Sequence, residues 1–116
     1  MADSLLDENT VTALARKAFD AVPGFVVYVD RVLREPGPVR VGADTVTIER
    51  ATLLVFRDEM PGANWMHPCT YAAVDVVTRQ VVARVTSDRP PAFGTLPPTW
   101  VVVSDPDNLA DLVRQP

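Results

Sequence analysis

The most reactive side chains of this sequence lie close together between Met60 and Cys69. This segment contains the only histidine, the only cysteine and one of the two tryptophans of the chain. A cysteine thiolate becomes a nucleophile when a nearby imidazole takes its proton, and in an extended segment His67 and Cys69 would face the same side. Asp58 or Asp75 could orient the imidazole, as carboxylates do in catalytic triads. A Cys/His-dependent enzyme using His67 and Cys69 is therefore one alternative for the function.

The same residue types could bind zinc, which takes three or four nitrogen, sulfur or oxygen ligands. His67 and Cys69 supply two ligands, and Asp58 and Glu59 could complete the set. However, the sequence contains no second paired-ligand motif, no glycine-rich phosphate loop and none of the common hydrolase motifs. We therefore predict no metal and no cofactor, and we assign no catalytic residue.

Protein recognition is a third role for this segment. Tryptophan is enriched among binding hot spots and methionine adapts to irregular surfaces, and here both types lie among Pro, Gly and Asn residues. The predicted binding residues are Met60, Asn64, Trp65, Met66 and His67. The competing interpretation is structural: Trp65 would fold back over the open end of a sheet, and Asn64 and His67 would bond to loop carbonyls.

The first element that could support this segment is an amphipathic helix near the N-terminus. Apolar residues recur at the spacing of one helix face, at Val11, Leu14, Ala15, Ala18, Phe19 and Val22. Asn9 or Asp7 can cap its N-terminus, and Pro23-Gly24 ends it. We expect this helix to cover one face of a sheet.

Runs rich in Val and aromatic residues predict the strands of that sheet. They cover Phe25–Leu33, Thr45–Arg57, Tyr71–Val77, Val81–Thr86 and Trp100–Val103, with Val39–Val41 as a short edge segment. A β-bulge near Glu49–Ala51 would keep the apolar face of the second run in phase. Tight turns and the lack of intervening helices favour antiparallel pairing.

These elements together predict an α+β fold. An N-terminal helix would pack on a curved antiparallel sheet of about four to five strands, in a single domain over residues 1–116. Asp105-Pro106, with an N-cap and an N1 proline, predicts a short C-terminal helix that turns Leu109, Leu112 and Val113 to one side.

Charge and composition exclude several classes of partner. The chain has 116 residues and a formal net charge of −4, and Lys17 is its only lysine. Nucleic-acid binders and proteins on anionic membranes display Lys/Arg fields, so neither partner is expected. No apolar run approaches the ~20 residues of a membrane span, and the N-terminus lacks a signal-peptide pattern. We expect a cytoplasmic, bacterial protein. The excess of arginine over lysine suggests a GC-rich coding sequence.

One stretch resembles a known group of small domains. The hairpin Tyr71-Ala-Ala-Val-Asp-Val-Val-Thr-Arg-Gln-Val-Val is similar to the closing hairpin of PepSY domains, and a helix with a four-strand meander over residues 9–86 resembles the cystatin-like and PepSY-like folds. The resemblance implies an inhibitory or accessory module, since members of this group often act in that way.

Arginines on the predicted strands offer two interpretations. If they share the solvent face, they form a basic strip suited to an acidic partner; they are Arg31, Arg34, Arg50, Arg57 and Arg84. Alternatively, they pair across strands with Asp30, Glu49 and Asp75.

We favour a non-catalytic protein-interaction module, which would be an accessory, inhibitor or immunity-type protein. It would bind another protein through its sheet face, a sheet edge or the Met60–Cys69 loop, and a homodimer through the sheet face or edge is one form of this. The other alternative is a small apolar-ligand-binding domain whose cavity is lined by Phe19, Tyr28, Phe56 and Trp100.

Overall fold

The computed structural model describes residues 6–42, 44–60, 68–89 and 98–107. These residues form one helix and seven strands: α1 Glu8–Ala15, β1 Val26–Asp30, β2 Gly37–Val41, β3 Asp44–Ile48, β4 Thr52–Asp58, β5 Cys69–Asp75, β6 Val81–Ser87 and β7 Trp100–Ser104. The predicted α+β class, with an N-terminal helix on an antiparallel sheet of five strands, is confirmed.

The five-stranded sheet has the order β6-β5-β4-β1-β7, and all its pairings are antiparallel. Four of its strands, β1, β4, β5 and β6, lie side by side in chain order, and β7 returns to pair with the other side of β1. The remaining strands, β2 and β3, form a separate hairpin that the chain makes between β1 and β4.

Helix α1 begins at the aspartate that the sequence offers as a cap. The Asp7 carboxylate accepts hydrogen bonds from the Thr10 backbone N–H (2.9 Å) and the Thr10 hydroxyl, which satisfies one of the free amides of the first turn. The helix ends at Ala15, so its predicted extension to Val22 is wrong. After the helix, the backbone N–H groups of Lys17 and Ala18 donate to carbonyls three residues earlier, as in a 3-10 turn. This turn places Ala18 and Phe19 in the core.

Both faces of the sheet are covered, so β5 is buried along its whole length. On one face, residues of α1 and of the turn after it pack against the sheet and form the helix-side cluster. Its members are Val11, Leu14, Ala15, Ala18, Phe19, Val27, Val29, Leu53, Val55, Ala72, Val74 and Val103. On the other face lies the aromatic cluster of Val26, Tyr28, Val41, Leu54, Phe56, Cys69, Tyr71 and Trp100, against which Val39 and Val46 of the β2–β3 hairpin pack. Two covered faces explain why the central strands read as nearly continuous apolar runs.

The single strand predicted over Thr45–Arg57 is wrong, because this stretch forms two strands in different sheets. A turn at Glu49–Ala51 separates β3 from β4. The loss of alternation there marks a change of sheet and not a β-bulge. The hairpin leaves the plane of the sheet and covers the aromatic cluster. Apolar residues of β2 and β3 therefore face that cluster.

The predicted C-terminal helix lies mostly outside the described residues, which end at Asp107. The Asp107 carboxylate accepts a hydrogen bond from the Gly24 backbone N–H at 2.7 Å, where Gly24 has a φ of 87°. This bond ties the chain that follows β7 to the turn that precedes β1.

Candidate functional site

The segment predicted to bind a partner is described only at its ends. Met60 is exposed (45%), and its backbone N–H donates to the Asp58 carboxylate. Asn64, Trp65, Met66 and His67 lie outside the described residues, and their binding role stays a prediction.

The thiol at the end of this segment is placed where a nucleophile cannot act. Cys69 is fully buried in the aromatic cluster, and its Sγ lies 3.4 Å from the Ser87 carbonyl oxygen. Burial, and then the negative charges of Asp58 and Glu59, raise the pKa of the Cys69 thiol to about 12. The thiol is therefore protonated and out of reach of a substrate, which argues against the Cys/His enzyme.

The two carboxylates predicted to orient the His67 imidazole, Asp58 and Asp75, lie at opposite ends of the β4–β5 pairing. Asp58 pairs with Cys69 in the β4–β5 register, whereas Asp75 is at the far end of β5, roughly 20 Å away along an extended strand. Glu59 is held by Arg57 (2.8 Å) and by the Thr70 hydroxyl (2.7 Å). Within the described residues, no three His, Cys, Asp or Glu side chains are arranged to hold a metal ion.

Two of the five arginines pair with aspartates that the second interpretation names. Arg34 bonds to Asp30 at 2.6 Å and Arg50 bonds to Asp75 at 2.9 Å, although neither pair joins two strands. The other three arginines make different contacts. Arg31 donates to the Leu6 carbonyl, and Arg84 donates to the Ala18 carbonyl. Arg57 pairs with Glu59 and lies over the Phe19 and Phe25 rings. These five arginines do not form the basic strip.

The four aromatic residues expected to line a ligand cavity lie on opposite faces of the sheet. Phe19 belongs to the helix-side cluster, and Tyr28, Phe56 and Trp100 belong to the aromatic cluster. The Phe56 ring packs 5.9 Å from Tyr28, 5.2 Å from Tyr71 and 6.4 Å from Trp100 between centroids. The apolar space between the hairpin and β4–β6 is too narrow to admit a water molecule, so it has no room for a ligand.

A candidate recognition surface among the described residues is instead the outer side of β6, which we call the β6 edge. Within the described part of the chain, β6 forms backbone pairs with β5 alone and ends the sheet. Its seven residues extend over about 23 Å. Gly42, with a φ of 63°, packs so closely on Ser87 that a Cβ there would overlap the Ser87 side chain, so the hairpin tip lies against one end of β6.

Two apolar side chains lie at the other end of the β6 edge. Val77, in the β5–β6 turn, is 71% exposed, and Val82 on β6 is 52% exposed. The β5–β6 register shifts between Ala73 and Val74, opposite Val82, and this bulge adds a residue to β6. The sequence signal for this edge is weak, because the valines at 81 and 82 read as ordinary core residues.

A cleft of about 210 Å³ opens beside Val82, between the end of the hairpin and the β5–β6 turn. It is lined by Thr47, Ile48, Glu49, Arg50, Thr52, Asp75 and Val82. Asp75 is rigidly held, since it accepts from the Val77 and Thr78 backbone N–H groups and from Arg50. The Thr78 and Val77 amides and Arg50 hold the pKa of the Asp75 carboxyl below its usual value, so the cleft has a fixed, charged wall.

Comparison with protein-family models, with curated proteins and with solved structures returned no match. The resemblance to cystatin-like and PepSY-like domains therefore stays a prediction. The described residues contain no helix that is long and apolar enough to cross a bilayer.

Proposed function

We propose that this chain is a non-catalytic protein-interaction module that binds an extended segment of a partner protein by strand addition along the β6 edge. In the cell it would serve as an accessory, inhibitor or immunity-type protein. The observation that supports this most directly is that the outer side of β6 has no backbone partner among the described residues, while exposed Val82 lies beside it. An unpaired strand edge is a template for another chain.

Strand addition would use two properties of this surface. The backbone of β6 would supply hydrogen bonds along the added strand, and side chains of every second residue would point to one face of the extended sheet. On one face they would reach Val82 and the adjoining cleft, which is wide enough for one side chain. Affinity would therefore come from the backbone, and sequence preference from the cleft.

The opposite edge of the sheet, β7, is a poorer template. It has five residues against seven in β6, and the chain beyond it is tied back to Gly24 through Asp107. Both edges carry a register irregularity, so length and access distinguish them. The longer edge offers more backbone hydrogen bonds to a partner strand.

Selection from a random-peptide library displayed on phage tests this function. Hydrogen exchange of the protein is then measured with and without each enriched peptide. We expect peptides with alternating apolar residues that slow amide exchange in β6. Val82→Lys should weaken their binding by about tenfold or more, because it replaces the exposed apolar side chain beside the cleft with a charge that apolar peptide residues cannot pair. The matched control is Val77→Lys, which adds the same charge at a more exposed turn position and should leave affinity within about threefold.

Two outcomes would overturn the proposal. One is a library that yields no binder against correctly folded protein. The other is a set of binders that protects amides of β7 or the β2–β3 hairpin and responds equally to both lysine variants.

A further inference from the structure

The β6 edge carries an unusual charge for this chain. Arg79 precedes β6, Arg84 lies at its centre and Arg89 follows it, and all three are exposed. Residues 79–89 contain these three arginines and a single acidic residue, Asp88, which gives a formal charge of +2. The whole chain has a net charge of −4, so the β6 edge is a local positive region on an acidic protein.

Two of these arginines are available to a partner. The side chains of Arg79 and Arg89 make no ion pair or hydrogen bond with any described residue. Arg84 differs, since it donates to the Ala18 carbonyl at 2.9 Å and lies 5.2 Å from the centre of the Phe19 ring. It supplies fixed positive charge at mid-strand, whereas Arg79 and Arg89 can pair with incoming carboxylates.

We infer that the segment added to the β6 edge is acidic, with carboxylates near both ends. This inference rests on the proposed function and specifies the chemistry of its partner. A negatively charged strand gains attraction along the length of β6, and repulsion from Arg79, Arg84 and Arg89 disfavours basic strands. A second copy of β6 is disfavoured for the same reason, because antiparallel self-pairing about Arg84 would place like charges opposite one another.

A protein segment fits this edge better than a nucleic acid. Single-stranded nucleic acids are bound by aromatic side chains on which bases stack, together with a continuous basic groove. Residues 79–89 contain no aromatic residue, and the chain as a whole is negative. Carboxylates on an extended peptide need only the arginines and the unpaired backbone that β6 supplies.

Three synthetic peptides of about ten residues provide the test. They alternate valine with glutamate, glutamine or lysine, and their binding is measured by fluorescence anisotropy at about 25 mM and about 300 mM NaCl, since exposed pairs weaken as the Debye length shortens. We expect the glutamate peptide to bind about tenfold tighter than the glutamine peptide at low salt, and the lysine peptide to bind weakest.

A double charge reversal, Arg79→Glu with Arg89→Glu, should weaken binding of the glutamate peptide about tenfold and strengthen binding of the lysine peptide. The matched control is Arg16→Glu with Arg40→Glu, which changes net charge equally at exposed positions on other elements. We expect it to alter either affinity by less than about threefold, because screening limits charge effects at a distance.

The outcomes separate this inference from the proposed function. If the three peptides bind equally well and all protect β6 amides, strand addition stands and the acidic partner is wrong. Equal effects of the two double variants, or tighter binding of single-stranded DNA than of the glutamate peptide, would also overturn it. If no peptide binds and no β6 amide is protected, the proposed function itself fails.

Discussion

The buried thiol of Cys69 should react very slowly with a soluble reagent in the native protein. It is the only cysteine of the chain, so labelling by Ellman's reagent reports on this one site. Its Sγ lies inside the aromatic cluster beside the Ser87 carbonyl. Labelling requires both access and deprotonation, because only the thiolate attacks.

The expected slowing follows from the pKa and from stability. A thiol with a pKa of about 12 instead of 9.0 holds about a thousandfold less thiolate near pH 7.5, since each pKa unit is a factor of ten. Reaction through global unfolding is also slow, because a stability of about 5 kcal/mol or more leaves roughly one molecule in several thousand unfolded. Either route predicts labelling about a thousandfold slower than for a free thiol.

The assay follows labelling at about pH 7.5 to 9.5, without denaturant and in about 6 M urea. In urea the chain should release one equivalent of chromophore at the rate of an unstructured thiol, which is the internal control. Native labelling within about tenfold of the urea rate, or a pH profile with its midpoint below about 8.5, would refute this reasoning. Such a result would restore the Cys/His enzyme as the leading alternative.

Two further predictions concern the scaffold of the β6 edge. Phe56→Ala should lower the free energy of unfolding by about 3–5 kcal/mol, because Phe56 is buried among three aromatic rings; urea denaturation showing a loss under about 1 kcal/mol would contradict this packing. Asp75→Asn should make stability less sensitive to acid: the folded-state pKa of Asp75 is lowered, so its contribution is present above about pH 4 and is lost as pH falls through the folded value. The difference in urea midpoint between the wild-type protein and the variant should be smaller at about pH 3 than at about pH 6. A difference that grows in acid would refute the assignment.

Local patterns were sufficient for most elements of the fold. The apolar spacing from Val11 to Ala15 and the Asp7 cap predict the start of α1 correctly but not its end, and the Val-rich runs predict the central strands. The pattern was misleading over Thr45–Arg57, where it predicts one strand with a bulge and the chain forms β3 and β4. Both alternatives interrupt the alternation of side chains at Glu49–Ala51, and only packing of the hairpin on the aromatic cluster distinguishes them.

The candidate site was harder to predict than the fold. The sequence draws attention to Cys69 because it is unique, but its accessibility depends on β4, β6 and the aromatic residues around it. For the arginines, the sequence gives their number and positions but does not predict which carboxylates they pair with. Arg34 and Arg50 find carboxylates, whereas Arg79 and Arg89 find none among the described residues.

The sequence by itself determined the class of fold, the start of α1, the positions of the central strands and the overall negative charge, because these depend on residues close together in the chain or on composition. Tertiary structure alone decided that β6 ends the sheet among the described residues, that Cys69 is buried and that Arg79 and Arg89 pair with no described carboxylate. Those properties depend on which distant segments pack together, and pairing partners of a strand are set by contacts between residues far apart in sequence.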